Sequence, residues 1–176
     1  EADVGFIALY WEDFDGLCCK TIFEEDSVAA IPKGWDLSKH RIHSLSELKD
    51  QPFITYSREA RRKSFEAFNA VCRLSGFVPN IVQEAESDIA VLGLVASGLG
   101  IALVPDGYRN IFSNAVSYHV LKKPRVTLKI CLIWKEGNLS ETARSLVETA
   151  NNCHFDLLYS KSANEKDNSF EVPFKK

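Results

Sequence analysis

Two patterns of apolar residues alternate along the chain, one typical of strands and one typical of helices. Short apolar runs bounded by Gly, Pro or polar residues predict strands, and apolar residues three and four positions apart predict helices. The predicted strands are residues 3–9, 17–23, 27–31, 53–56, 81–84, 99–104, 117–121 and 127–134. Helical segments are predicted at residues 45–49, from about 58 to 76, from 88 to 98, at 108–112 and from about 139 to 150. This order indicates an α/β fold.

Residues 84–105 form the most informative segment, because they combine a helix, a glycine stop and a buried strand. Asp88 lies in the predicted first helical turn, where negative charge is favoured, and Gly98 supplies the conformation that ends helices. The predicted apolar stripe of this helix is Ile89, Leu92, Val95 and Ala96. The continuous apolar run 99–104 predicts a central parallel strand. Open α/β sheets bind ligands at the carboxyl ends of such strands, so Pro105, Asp106 and Gly107 are candidate site residues.

Two other helices carry local signals of their own. Ser44 and Glu47 have the spacing of a capping box, and Asn138 with Glu141 could cap the last helix. In the helix that follows residue 58, one face contains Phe65, Phe68, Cys72 and Ser75, and Gly76 ends it. The predicted core stripe of the last helix is Leu139, Ala143, Leu146, Val147 and Ala150.

Four motifs in the same order resemble the effector-binding domain of LysR-type transcriptional regulators. The longest is Val95-Ala96-Ser97-Gly98-Leu99-Gly100-Ile101-Ala102-Leu103-Val104-Pro105, which differs from the family pattern by one small residue. Asp3-Val4-Gly5-Phe6, the segment 45–54 and the turn from Cys72 through Gly76-Phe77 to Pro79 are similar to the other three. The resemblance covers roughly residues 1–155 and implies two Rossmann-like lobes joined by two crossover strands, as in periplasmic-binding proteins of type II.

The resemblance also implies a division of the chain. Residues 1–33 with 126–160 would form the first lobe and residues 34–125 the second lobe. Independently of the resemblance, residues 161–176 are polar and low in core residues, which predicts a disordered tail. The chain has no methionine and opens inside an apolar strand, so upstream residues are expected to be missing. By resemblance these would be a DNA-binding winged helix-turn-helix, a linker helix and the start of the first lobe.

Composition narrows the range of functions. A net charge of −3 gives no basic field for nucleic acid, so DNA binding is expected only through the missing domain. No apolar run reaches the roughly 20 residues that span a bilayer. Five cysteines, an odd number, favour reduced thiols in a cytoplasm. Cys72, Cys131 and Cys153 are predicted to be buried structural thiols, and no cofactor motif occurs.

The chemistry of the predicted cleft is ligand capture. The expected lining is Leu9 and Tyr10 from the first lobe and Thr55, Tyr56, Ser57, Arg58, Glu86, Ser87, Pro105 and Asp106 from the second. Helix amino termini with nearby Arg58, Arg61 and Arg62 favour a carboxylate or other small anion, and in the family effectors are often small organic acids. The apolar run 7–9 also allows an aromatic effector.

Structural alternatives exist for each of these residues. Thr55 and Ser57 could be a strand end and a helix cap, and the arginines could be a solvated helix face. Glu86 and Asp88 could be only partners of a helix dipole. The four histidines, His40, His43, His119 and His154, share no motif, so a metal site is not expected.

We therefore expect the effector-sensing and oligomerisation domain of a transcriptional regulator, a homodimer or homotetramer that binds a small molecule and controls a missing DNA-binding domain. Two alternatives are a solute-binding protein of the same two-lobed fold, which would need an export signal, and a small-acid enzyme. The enzyme is disfavoured because no nucleophile, base and orienting residue occur as a set. No membrane partner is expected.

Overall fold

The computed structural model describes residues 3–10, 16–137 and 139–153. The strands are β1 (Val4–Leu9), β2 (Cys18–Pro32), β3 (Pro52–Tyr56), β4 (Asn80–Ala85), β5 (Ala102–Pro105), β6 (Val116–Val120) and β7 (Thr127–Trp134). The α-helices are α1 (Arg62–Leu74), α2 (Asp88–Ala96) and α3 (Glu141–Asn152), and 3-10 turns occur at Asp36–Lys39, Leu45–Leu48 and Asp106–Tyr108. The predicted tail, residues 161–176, lies outside the described residues, as do Asn138 and His154.

The chain divides into two compact units. Unit 1 contains Glu1–Glu24 and Leu128–Lys176, and unit 2 contains Glu25–Thr127. Strand β2 contributes residues to both, so the chain passes from unit 1 to unit 2 within one strand and returns at the start of β7.

The strands of unit 2 form two ladders, β3-β4 and β5-β2-β6, which one isolated bridge links. β3 and β4 are parallel, with Tyr56 opposite Ala85, and a parallel bridge between Phe53 and Ile101 joins β3 to the segment that enters β5. β5 and β6 both pair antiparallel with β2. The prediction of a central parallel strand is wrong for β5, because β5 pairs along its length with the antiparallel β2 and its only parallel link is the bridge at Ile101, just before the strand. The predicted edge strand is confirmed, as β6.

Apolar side chains cover both faces of this sheet. On one face Phe53, Ile101 and Leu103 pack with Phe68 and Cys72 of α1, and burial raises the pKa of the Cys72 thiol to about 12. The ring of Phe53 lies 5.3 Å from that of Phe68 and 6.0 Å from that of Phe77, measured between centroids. The other face is covered mainly by α2. Its cluster is Val28, Ala30, Ile54, Tyr56, Val91, Leu92, Val95, Ala102, Val104 and Val116.

Unit 1 is a smaller assembly of strands and one helix. β1 pairs antiparallel with β7, so that Val4 is opposite Trp134. Leu132 packs there with Val147 and Ala150 of α3. The Phe6 side chain on β1 remains 65% exposed.

Several sequence predictions need correction. The predicted strands 17–23 and 27–31 are one strand, β2, because the acidic residues between them have cationic partners: Asp26 binds Arg125 at 2.8 Å and Glu24 lies 3.6 Å from Lys129. The predicted strand 99–104 begins only at Ala102 and ends at Pro105. The last helix is capped by Ser140, whose hydroxyl accepts the N–H of Ala143.

The predicted helix faces are also partly wrong. Ile89 of α2 is exposed and Val91 is buried in its place, while Leu146 of α3 is 40% exposed. Cys72 and Cys131 are buried as predicted, but Cys153, the C-cap of α3, is exposed. Within the described ranges, no helix is long and apolar enough to cross a bilayer.

Candidate functional site

The carboxyl ends of three strands meet at one edge of unit 2. β3 and β4 are parallel and end at Tyr56 and Ala85. The segment entering β5 is tied to β3 by two backbone hydrogen bonds, from Ile54 N–H to the Ile101 carbonyl at 2.8 Å and from Ile101 N–H to the Pro52 carbonyl at 2.9 Å. β5 therefore ends at the same edge, at Pro105. Parallel strands of open α/β sheets bind ligands at this edge, which we name the carboxyl edge.

Thr55, Tyr56 and Ser57 form the first wall of the carboxyl edge. Thr55 and Tyr56 are each only 3% exposed, and Ser57 donates its N–H to the Ala85 carbonyl at 2.8 Å. The Ser57 hydroxyl accepts the N–H of Ala60 at 3.3 Å, and its carbonyl accepts the N–H of Arg61 at 2.8 Å. The helix predicted from about residue 58 begins only at Arg62, because these bonds close a turn first. Ser57 therefore caps that turn.

The arginines that follow differ in what they contact. Arg61 donates to Asp88 Oδ2 at 3.0 Å and stacks over the Tyr56 ring, and Arg62 pairs with Glu66 on the exposed face of α1. Arg58 lies over the Phe65 ring, 4.5 Å from its centroid, and has no acidic partner for its guanidinium among the described residues. The Arg58 side chain lines a cavity beside α1 together with Phe65 and Glu66.

The second wall is the start of α2. Ser87 is its N-cap and accepts the Ala90 N–H at 3.2 Å. Asp88 accepts the Tyr56 hydroxyl at 2.6 Å through Oδ1 and Arg61 through Oδ2, so this carboxylate is fully used inside the protein. Glu86 is exposed, and the carboxylate of neighbouring Glu84 accepts the backbone N–H of Arg58 at 2.9 Å.

The third wall follows β5 and includes residues that sequence reasoning missed. Asp106 forms an ion pair with Arg109. The Glu25 carboxylate accepts the Gly107 N–H at 2.9 Å. Burial raises the pKa of Glu25, and the nearby carboxylates of Asp106 and Asp88 add to this shift, whereas the Gly107 hydrogen bond opposes it. The pKa of Tyr108 is also raised, first by burial and then by Asp88.

Ser27 is the second residue that the sequence did not reveal. It lies opposite Pro105 in the β2–β5 pair and is 4% exposed. Its hydroxyl has no hydrogen-bond partner within the described ranges. Buried hydroxyls without a partner are uncommon and costly, so Ser27 is available to a polar group at the end of β5. No local signal identified it, because only the pairing of distant strands brings it there.

The structure thus brings eight predicted residues to the edge of unit 2: Thr55, Tyr56, Ser57, Arg58, Glu86, Ser87, Pro105 and Asp106. Leu9 and Tyr10 belong to unit 1, at the end of β1, where the backbone of Leu9 is opposite Lys129. Among residues 3–10, 16–137 and 139–153, no cluster of three or more His, Cys, Asp or Glu side chains could hold a metal ion.

Comparisons with known proteins converge on one kind of domain. The family model described as "LysR substrate binding domain" matches residues 1–152. AlsR of Bacillus subtilis, an HTH-type transcriptional regulator, is 29% identical over 124 residues, which are 70% of this chain and 41% of AlsR. The chain thus spans less than half the length of that curated relative.

Solved structures agree with this match. The effector binding domain of a BenM variant superposes with a TM-score of 0.72 at 25% identity, covering 84% of this chain and 69% of that one. The effector binding domain of QuiR, solved in complex with shikimate, gives a TM-score of 0.66 at 20% identity over 84% of this chain and 69% of its own. These likenesses confirm the predicted α/β class with the fold of type II periplasmic-binding proteins.

Proposed function

The chain belongs to the LysR substrate binding domain family, and from that membership we propose that it senses a small-molecule effector at the carboxyl edge of unit 2. The observation that carries the proposal is the set of hydroxyls gathered at three strand ends, Thr55, Ser57, Ser87 and the unpartnered Ser27. Binding of an effector at this edge would break no covalent bond, which agrees with homologues that are transcriptional regulators and not enzymes.

We propose an organic acid or an aromatic compound as the effector. Arg58 supplies a cation without an acidic partner, and the start of α2 supplies N–H groups that favour negative charge. The shikimate bound by QuiR is a compound of this class, a hydroxylated carboxylic acid. Leu9 and Tyr10 of unit 1 remain predicted members of the effector site. In the complete regulator, effector binding would change DNA binding by a winged helix-turn-helix outside this chain.

Thermal-shift measurements with small carboxylates and aromatics test the site. A ligand present at about 100 times its Kd adds about 2.7 kcal/mol of stability, which corresponds to a rise in Tm of several degrees. We expect the Thr55→Ala and Ser57→Ala variants to lose most of the shift that wild type shows. The matched control is Ser97→Ala at the other end of α2, where the hydroxyl bonds only the Leu94 carbonyl. Full-sized shifts in both site variants would remove the carboxyl edge as the effector site.

We further propose that the domain forms a homodimer through the α1 and β4 side of unit 2. Three large apolar side chains are exposed there: Leu74 at 59%, Val78 at 80% and Val82 at 42%. β4 pairs only with β3 among the described strands, so its other edge is open to a second copy. Exposed apolar residues grouped beside an open strand edge are typical of an interaction surface.

A charge placed on this surface should weaken self-association. The Val78→Asp variant buries a carboxylate at the proposed interface, and we expect at least a tenfold weaker dimer, about 1.4 kcal/mol, in sedimentation equilibrium. Leu99→Asp is the control, because Leu99 is similarly apolar and 45% exposed but follows the far end of α2. Equal dissociation constants for wild type and Val78→Asp would contradict this location of the interface.

A further inference from the structure

A concave surface of unit 2 lies beside β6, where Val120 is level with Val104 of β5 because both are opposite Val28 of β2. It encloses about 310 Å³ and is lined by Arg41, Ile42, His43, Tyr118, His119, Val120 and Lys122. A cavity of this size is at the lower end of the range that holds small molecules. We name it the β6 groove.

The β6 groove has a one-sided charge distribution. Arg41 and Lys122 line it together with two imidazoles, and none of the lining residues that the structure describes is acidic. Neither Arg41 nor Lys122 has an acidic partner among the residues that the structure describes, in contrast to Arg61 and Arg109 at the carboxyl edge. In a chain of net charge −3, such a group of unpaired cations around one cavity indicates an anion as its occupant.

Backbone hydrogen bonds hold the walls of the groove in place. Lys122 and Lys123 donate their N–H groups to the His43 carbonyl at 2.8 and 3.4 Å, and Leu45 donates to the Lys123 carbonyl at 3.1 Å. The His119 ring is oriented by a contact of 2.9 Å between its Nε2 and the Ser117 hydroxyl. The cations therefore project from a fixed scaffold, which reduces the entropy lost when a ligand binds.

Among the described strands β6 pairs only with β2, so its outer edge adds uncharged donors. Lys33 donates its N–H to the Ala115 carbonyl at 2.8 Å, which marks a hydrogen-bonded pair next to the β2–β6 ladder. Such pairs recur at every second residue of an antiparallel ladder, so Ser117 and His119 bond to β2. The N–H groups of Tyr118 and Val120 then point to the outer edge, where they can bind an anion.

We propose that the β6 groove is a second ligand site of this domain and that it binds a phosphate group. Phosphate oxygens match the combination of a guanidinium, an ammonium and backbone N–H donors, and the apolar side chains of Ile42 and Val120 leave room for a carbon substituent. This site shares no residue with the proposed effector site.

Inorganic phosphate is the probe for this proposal. Imidazole NMR signals of His43 and His119 are followed during a phosphate titration, with sodium chloride keeping the ionic strength constant. We expect saturable shifts at these two histidines and not at His40, which faces Asp36 outside the groove. Arg41→Ala and Lys122→Gln should each weaken binding at least fivefold. Lys33→Ala, at the other end of β6, should bind as wild type does.

Two results would overturn the proposal. One is a shift that sodium chloride alone reproduces, since that is an effect of ionic strength only. The other is wild-type affinity in both Arg41→Ala and Lys122→Gln, whose side chains are exposed and should not disturb folding. A short DNA duplex at matched phosphate concentration identifies the source of the phosphate. Tighter binding of the duplex at the same histidines assigns the groove to a nucleic-acid backbone, and weaker binding assigns it to a small phosphorylated compound.

Discussion

Replacing Gly100 with alanine is expected to lower the free energy of unfolding by about 2–3 kcal/mol, because there is no space for a methyl group at this position. A Cβ atom on Gly100 would lie 2.7 Å from the carbonyl oxygen of Pro52 and 3.2 Å from its carbonyl carbon. Both atoms are backbone, so relief requires the start of β5 to move away from β3. That movement would break the two hydrogen bonds between Ile101 and β3.

Gly93 provides the matched control for this substitution. It lies in the middle of α2, and a Cβ built there meets no atom within 4 Å. Alanine at this position should stabilise the helix by about 0.5–1 kcal/mol, since glycine has greater freedom in the unfolded chain. Urea unfolding of both variants measures the two effects with opposite signs. If Gly100→Ala unfolds at the same urea concentration as wild type, the backbone at Gly100 is not packed closely against Pro52, and the prediction is contradicted.

Local signals explain why much of the fold could be predicted from the sequence. The capping box of Ser44 and Glu47 is present, with Glu47 Oε1 accepting the Ser44 N–H at 2.7 Å. Gly76 and Gly98 end their helices at φ +86° and +84°, values that side chains rarely adopt. Each of these features depends on a few neighbouring residues, and the sequence shows them directly.

The errors in predicting the buried face of α2 and the length of β2 arise because the local sequence pattern allows more than one structure there. α2 reads DIAVLGLVA, so apolar residues occur on all its sides and their spacing cannot select the buried face. Tertiary contact selects Val91 and leaves Ile89 at the surface. In β2 the three consecutive acids indicate a break, but partners about 100 residues away neutralise two of them.

The candidate site was predictable in part for the same reason. Thr55 lies near the end of β3, and Ser87 lies in the short connection between β4 and α2. Both strands are recognisable in the sequence, so the rule that ligands bind at strand ends identifies both residues. Ser27 and Glu25 could not be found in this way, because they lie on β2, which is antiparallel to β5. Ser27 is opposite Pro105, 78 residues away in sequence, and Glu25 binds Gly107, 82 residues away. Only the strand register, a long-range property, contains that information.

Asp88 links the walls of the carboxyl edge, and its loss should have a large effect on stability. Its carboxylate accepts one bond from Tyr56 of β3 and one from Arg61 before α1, and it lies in the first turn of α2. The side chain of Asp88 is 14% exposed and that of Arg61 is 32% exposed, so solvent screens the pair only partly. The Asp88→Ala variant leaves the Tyr56 hydroxyl and a partly buried guanidinium without this acceptor.

We expect Asp88→Ala to lower the free energy of unfolding by about 2–3 kcal/mol. Tyr56→Phe should lower it by about 1 kcal/mol, because this variant removes one hydrogen bond to Asp88 and keeps the ion pair with Arg61. A double-mutant cycle in urea separates the Tyr56–Asp88 bond from the rest. Arg62→Ala is the control, because it removes an exposed pair with Glu66 that solvent screens, so its urea midpoint should stay close to that of wild type. Unchanged stability of Asp88→Ala would show that these three elements are not held together through this carboxylate.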